Sequence, residues 1–355
     1  MNLYIHKFNA GMFPKVKVID YAASIIWIKR FKEAGYFELY VKADKELFKL
    51  VTEEKMIMIT RDDDSSAMIV NSVKLTTSAD TGDYLTISGK SAEGILGQRI
   101  FTKQANYTGT AESIIRKMIT DNIIAPTDLT RKIINFTLAE SHDFTENTEK
   151  QVTGKNLLDI VSEICTAFEY GFKVDYEGGQ FVFDLYKGVD RSLDQNENNR
   201  VIFSPDFENL GNTEFSRDKS TYYNSVYVAG EGEGSDRVIV NLNSGFTGLF
   251  LREMWADART TSATTEEGEL TPAEYEAVLE AQAVDELAKV KELTDFSGEI
   301  LAGNSYKYGI DYSLGDKVTV INEYGIRGTA VISEITEVED ETGYSIYPTL
   351  SEWKV

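Results

Sequence analysis

The sequence predicts a mainly β protein with α+β insertions. Three features of the apolar pattern carry that expectation. Apolar and polar residues alternate through the first hundred positions; apolar residues then recur at three- and four-residue steps from Thr110; and alternation returns after Asn224 around one long helical stretch. At 355 residues the chain exceeds a single ordinary core, which points to two or three domains. Hydrophobic residues make up 42% and aromatics 11%, as in folded chains.

In chain order, Phe37, Leu39 and Val41 alternate with Glu38, Tyr40 and Lys42, the mark of a half-buried strand. Met56 to Thr60 and Met68 to Val70 flank the polar run Arg61-Asp62-Asp63-Asp64-Ser65-Ser66 and read as a hairpin. Val73 with Leu75, and Leu85 with Ile87, give two further strands across the turn Asp80-Thr81-Gly82-Asp83. Strands so short and evenly spaced predict a small barrel or sandwich. From Thr110, an N-cap residue, Ile114, Ile115, Met118 and Ile119 form a helical stripe with Glu112 in the first turn. A second helix is expected from near Lys155, carried by Leu157, Ile160, Val161, Ile164, Cys165 and Phe168 and ended by Gly171. Two strands, Phe172 to Asp175 and Phe181 to Asp184, follow. Further on, Thr271-Pro272-Ala273-Glu274 is a capping box with proline at the first helical position, and Tyr275, Leu279, Ala283, Leu287 and Val290 line one face. From Tyr306 the pattern is all strand, with Ala330 to Val338 and Gly343 to Leu350 pairing as a hairpin.

Between these patterned regions, Tyr186 to Gly234 is the longest run of turn and polar residues, and it reads as the seam between two halves. Net charge is −22, from 58 acidic and 36 basic residues. Such a surface repels polyanions and disfavours a sequence-binding role on nucleic acid. The lone cysteine, Cys165, excludes an internal disulfide framework and fits synthesis in a reducing cytosol. No apolar run approaches the roughly 20 residues of a membrane span, and no signal-peptide pattern opens the chain.

The catalytic inventory is poor. Gly89-Lys90-Ser91 follows a strand, but Tyr84 stands where a phosphate-binding loop needs its first glycine, so an ordinary turn is expected. Gly230-Glu231-Gly232-Glu233-Gly234 imitates a dinucleotide fingerprint, yet a strand follows it and its glutamates repel phosphate; a hairpin loop is expected. With only His6 and His142 and no cysteine pair, no transition-metal set is spelled out. Cys165 sits on an apolar helix face as a structural thiol. Asp62-Asp63-Asp64 lacks the spacing of a Ca²⁺ loop and reads as a solvated turn. No cofactor is expected. Carboxylate pairs for glycoside hydrolysis stay open, because 58 acids generate many pairs by chance.

The seam carries a resemblance. Trp27-Ile28-Lys29-Arg30-Phe31, Gly35-Tyr36-Phe37-Glu38-Leu39, Thr60-Arg61-Asp62-Asp63 and Leu96-Gly97-Gln98-Arg99-Ile100 resemble the start of a phage tail family. Its seam resembles that family's Gly-x-Asp-Arg-Ser…Gln at Gly188, Asp190, Arg191, Ser192 and Gln195, followed by Phe203-Ser204 and Asn209-Leu210. Asp311-Tyr312-Ser313-Leu314-Gly315-Asp316 matches a further motif near the end. The chain is thus similar to the siphophage tail-hub proteins of Gram-positive phages and prophages, themselves related to the structural part of tail-associated lysins and to baseplate hubs of contractile tails.

That resemblance implies two small β-barrel domains joined by helix-containing insertions: a first barrel at 1–104, an α+β insertion at 105–200, and a second barrel at 201–355 interrupted by a helical insertion near 252–300. It implies a homotrimeric ring in the distal tail of a virion, made in the host cytoplasm. Partners would be distal tail and tail-tube proteins, the tape-measure protein, and fibre or receptor-binding proteins, with DNA only in transit. As the chain ends at Val355, no lytic or fibre domain is expected after the last strand. A negatively charged bore would let DNA slide without sticking. Asp190, Arg191, Ser192, Gln195, Asn209 and Asp316 become a structural joint or subunit contact. The alternatives are a tip-borne cell-wall glycan hydrolase using a carboxylate pair, and the same hub in a phage-derived injection device.

Overall fold

A computed structural model describes residues 2–80, 82–265, 268–301 and 305–351. The protein is mostly β, with 43% strand and 21% helix arranged in several sheets. Contacts divide it into two compact units, one made of Met1–Thr213 with Gly298–Trp353, the other of Glu214–Ser297. Strand Leu210–Asp218 leads out of the larger unit and Leu293–Ile300 leads back.

The larger unit is built on an 11-stranded sheet. Its path runs from Ile202–Phe203 through Lys317–Ile321, Arg327–Asp340, Ser24–Arg30, Tyr36–Lys42, Tyr84–Ser91, Ala67–Thr76, Ile57–Arg61 and Leu3–Lys7 to Lys15–Ile19. Arg327–Asp340 is long because its two halves serve different neighbours. Its start pairs with Lys317–Ile321, whereas Glu334 to Asp340 pair with Ser24–Arg30, opposing Thr336 to Ile28. Gly343–Leu350 covers its other edge. The mainly β fold in several sheets agrees with the sequence expectation; among the described residues the pairings of this sheet form one path that both ends of the chain share, with no closed barrel assigned.

Two cores lie on this frame. Leu3, Ile5, Trp27, Phe37, Leu39, Ile59, Leu85 and Ile87 are buried together with Leu47 and Val51 of helix α1, Lys45–Glu53. Each fully buried side chain of this kind contributes about 1.5–3 kcal/mol. Helix α1 was not expected from the strand-like pattern, although Asp44 caps it by accepting from the Leu47 amide at 2.7 Å. The second core joins helix α2, Ala111–Ile119, and helix α3, Leu157–Phe168, to a sheet of Tyr170–Glu177, Gln180–Lys187 and Phe136–Leu138. Thr110 caps α2 as expected. Glu169 in the left-handed conformation (φ 57°) ends α3, not Gly171. Gly171 belongs to a strand, where an added Cβ would lie 2.2 Å from the Phe31 ring. Likewise Gly89-Lys90-Ser91 finishes the strand Tyr84–Ser91 and is no turn.

In the smaller unit, Ile239–Asn243, Ser225–Ala229 and Glu253–Asp257 form a sheet against helix α4, Pro272–Lys289. The capping box at Thr271 and Glu274 is formed on both sides. Tyr275, Leu279 and Ala283 of α4 are buried with Val226 and Val228. Gly230 to Gly234 lies in the connection of the antiparallel pair Ser225–Ala229 and Ile239–Asn243. Tyr275 fastens it: the hydroxyl accepts from the Glu231 amide at 2.7 Å and donates to the Thr261 carbonyl at 2.8 Å. Among the described residues, no helix is long and apolar enough to cross a membrane.

Candidate functional site

Val189 and Arg191 of the seam meet Asp316. This carboxylate is 1% exposed and accepts from the Val189 amide at 2.7 Å, the Ser313 amide at 2.9 Å and Arg191 Nε at 2.7 Å. Two close backbone approaches put it there. An added Cβ on Gly188 would fall 1.7 Å from the Gly315 carbonyl oxygen, and Gly315 itself has φ +93° with the Phe31 ring beside it. Only glycines tolerate both constraints. Val189 to Arg191 then runs alongside Lys317: the Lys317 amide donates to Val189 O at 3.0 Å and the Arg191 amide to Lys317 O at 2.8 Å.

The rest of the motif organises the loop after this contact. Asp190 accepts from the Ser192 amide at 2.9 Å and meets Lys317 Nζ at 3.3 Å. Burial pushes the Asp190 carboxyl up, but the Ser192 hydrogen bonds and Lys317 outweigh it and hold it below its ordinary value. Ser192 is fully buried and its hydroxyl accepts from the Asp194 amide at 3.3 Å. Gln195 Oε1 accepts from the amides of Glu197 and Asn198, both at 2.7 Å, while Nε2 donates to Ser192 O and Asn198 O. Asn209 sits in the neighbouring turn. It accepts from the Ser204 amide at 2.8 Å and donates to Ile202 O at 3.0 Å, next to the parallel pair of Ile202–Phe203 with Thr319 and Val320. Every acceptor of Asp316 faces a donor that is part of the fold, so the cluster is suited to holding chain segments together, not to moving protons.

The other sequence candidates are also structural. Burial pushes the Cys165 thiol up to about 12, which leaves it unreactive near neutral pH. His6 is held by Thr60 Oγ1 at 2.8 Å and Phe13 O at 2.9 Å. The Asp62 to Asp64 run is more than a solvated turn. Asp63 takes two hydrogen bonds from Arg61, at 2.8 and 2.7 Å, and Asp64 pairs with Lys29. Arg61 also reaches Glu337 at 2.8 Å, both side chains 3% exposed, over the Trp27 ring. Burial alone lowers the Lys29 ammonium, yet Asp64, Tyr308 and Glu337 outweigh it and raise it. This buried ion network, which ties strand Ile57–Arg61 to strand Arg327–Asp340, was missed in the sequence. A signal existed: Glu337 occupies an inward register of an alternating strand, two residues after buried Ile335. Among the described residues, no group of three or more His, Cys, Asp or Glu could hold a metal ion.

The family model for the Siphovirus ReqiPepy6 Gp37-like protein matches residues 11–350. The chain belongs to this Gp37-like family of siphovirus tail proteins. No curated protein matches it. The Gp37-like chain is similar in fold to the tail protein of Neisseria meningitidis MC58, at TM-score 0.54 and 16% identity over 98% of this chain and 95% of that one. It is similar to the 43 kDa tail protein of prophage MuSo2 from Shewanella oneidensis, at TM-score 0.56 and 12% identity over 99% and 98%. It is also similar to a chain of the lidded Francisella PdpA-VgrG complex, at TM-score 0.52 and 11% identity, covering 100% of this chain but 54% of that one. Phage tail proteins and VgrG-like baseplate hubs thus share the fold of this Gp37-like protein.

Proposed function

We propose that this protein is the structural hub at the distal end of a phage tail. Three copies form a ring that adapts the tail tube to the tip proteins and leaves a passage for DNA. The observation that carries the reading is the whole-chain likeness to tail proteins at TM-scores of 0.54 and 0.56, joined to a family match over residues 11–350. In this reading the segments 1–104 and 201–355 present two related faces, so that three copies offer six to the tube, with 105–200 inserted between them. Asp190, Arg191, Ser192, Gln195, Asn209 and Asp316 then keep the joint rigid where the two segments meet, and its exposed rim serves as a subunit contact. The partners are the distal tail and tube proteins, the tape-measure protein, and fibre or receptor-binding proteins. The protein turns over no substrate, and the net charge of −22 suits a wall past which DNA slides.

The test is gold labelling at Val355 on intact particles viewed in negative stain. Label at the distal tip is the expected result; label along the shaft or at the head end overturns the assignment. Clearing of purified peptidoglycan by the isolated chain, abolished by replacing one or two acids, would instead make it an enzyme.

A further inference from the structure

The smaller unit presents an apolar loop to solvent. Between Arg237 and Arg252 the chain carries no charged side chain, although 26% of its residues are charged. The loop joining Ile239–Asn243 to Glu253–Asp257 falls in this stretch, and on it Phe246, Leu249 and Phe250 are 40%, 100% and 77% exposed. It is held in one shape. Buried Asn224 grips both ends: its carbonyl accepts from the Ser244 amide at 3.2 Å, its Nδ2 donates to Phe250 O at 2.8 Å, and its Oδ1 accepts from the Arg252 amide at 2.8 Å. Asn243 Oδ1 accepts from the amides of Gly245 at 2.8 Å and Phe246 at 3.2 Å. A loop so fastened loses little freedom on docking. The larger unit carries a groove of about 450 Å³ beside strand Gly343–Leu350, walled by Phe203, Tyr306, Ile310, Tyr312, Ile346 and Pro348. Among the described residues that line it, Lys307 is the one with a charge, and none is a carboxylate.

We propose that the loop of one copy seats Leu249 and Phe250 in the groove of a second copy, so that every chain offers one loop and receives one. Exposed runs of large apolar side chains mark interaction surfaces, and both loop and groove gain by leaving water. Charge points to a second copy as the occupant. Two chains that each carry −22 repel, so they meet most readily where neither brings an acid. The loop and the groove both satisfy that condition. Asn209 of the joint also lines the groove, which makes it continuous with the rim proposed above as a subunit contact. The same net charge disfavours an anionic lipid surface. Head-to-tail contacts of this kind close into a ring when the rotation between copies permits. The inference deepens the hub reading, on which a closed ring of three rests, by naming the surfaces through which copies meet.

The test mixes two full-length single variants, Leu249→Cys and Ile310→Cys, of different tag length, with a short bismaleimide linker. Both positions are exposed, and buried Cys165, its thiol pushed up to about 12, stays silent. At about 100 µM, where a contact of micromolar Kd is largely formed, the expected product joins one copy of each variant. Neither variant alone should give a comparable product. Leu249→Asp should weaken self-association in sedimentation by about tenfold or more, the scale of losing one buried apolar anchor. Absence of the mixed product, products in equal yield from each variant alone, or association unchanged in Leu249→Asp overturns the proposal. Co-flotation of the wild-type chain with phosphatidylcholine vesicles, lost in Leu249→Asp, would give the loop to a bilayer and overturns it too. The hub reading is judged separately: a distal-tip label without the mixed product defeats this contact alone, and the mixed product with label elsewhere defeats the hub alone.

Discussion

At the scale of single residues, the fold is fastened by a few carboxylates whose partners lie far away in the chain. Asp316 is the clearest case, because two donors from one distant segment, Val189 and Arg191, converge on it with the nearby Ser313 amide. Asp316→Ala should cost about 3–5 kcal/mol, since it strands a partly buried guanidinium and two amides. Arg191→Ala leaves the amides satisfied and should cost less. Urea midpoints measured on both variants check the order, and a change under about 0.5 kcal/mol for Asp316→Ala removes the joint's importance. Glu112 makes a second, pH-dependent fastening. Its carboxylate accepts from Ser141 Oγ at 3.0 Å and from the amides of His142 at 2.8 Å and Phe144 at 2.9 Å. Burial pushes it up, but these hydrogen bonds and Arg116 outweigh burial and hold it below its ordinary 4.5. A lowered folded value means stability present above about pH 4.5 and lost as pH falls through the folded value. Glu112→Gln should therefore lower the urea midpoint at pH 7 and converge on the wild type as pH falls through the folded value. A gap that persists or widens in acid would show that charge is not the cause.

At the scale of elements, local chemistry decides where strands and helices stop, and that part was largely legible. The Thr271 capping box, the Thr110 cap and the Gly343–Leu350 hairpin follow from side chains within a few positions of one another. What depends on distant packing was not legible. Gly89, Gly171 and Gly188 read as turn or terminator residues, yet each is a glycine because another part of the chain presses against it: Ile69 O, the Phe31 ring and Gly315 O. Helix α1 hid in a strand-like context because its burial rests on only Leu47 and Val51. The joint residues were visible as a motif, but the bond of Arg191 to Asp316 was not, since 125 positions separate the two. Two substitutions separate these causes. Thr271→Ala should weaken the first turn of α4 by about 1 kcal/mol, read as faster amide exchange there and unchanged exchange in the larger unit. Gly188→Ala, by contrast, should loosen the whole contact with Gly315 and speed exchange in Lys317–Ile321, a strand far from Gly188 in sequence. Slow exchange in that strand after Gly188→Ala would contradict the close approach.

At the scale of the whole molecule, one sheet takes strands from both ends of the chain, and Arg61 to Glu337 closes it with a buried ion pair spanning 276 positions. A frame closed that late in the sequence is poorly suited to unfolding from one end. Charge is the other property that exists only at this scale. Many acids among the described residues are engaged with Lys, Arg or backbone donors, yet acids exceed bases by 22 over the chain. Binding to DNA backbone needs Lys and Arg free to displace counterions, and non-specific binders reach dissociation constants of about 10⁻⁴–10⁻⁶ M at physiological salt. This protein should fall short of that range even at about 50 mM salt, where such binding is strongest. Fluorescence anisotropy of a labelled duplex, titrated with the purified chain across a salt series, measures it. A flat titration is the expected outcome and agrees with the proposed passage of DNA. Binding that weakens steeply with added salt would reveal a basic track hidden by the net charge, and would count against the proposed repelling wall.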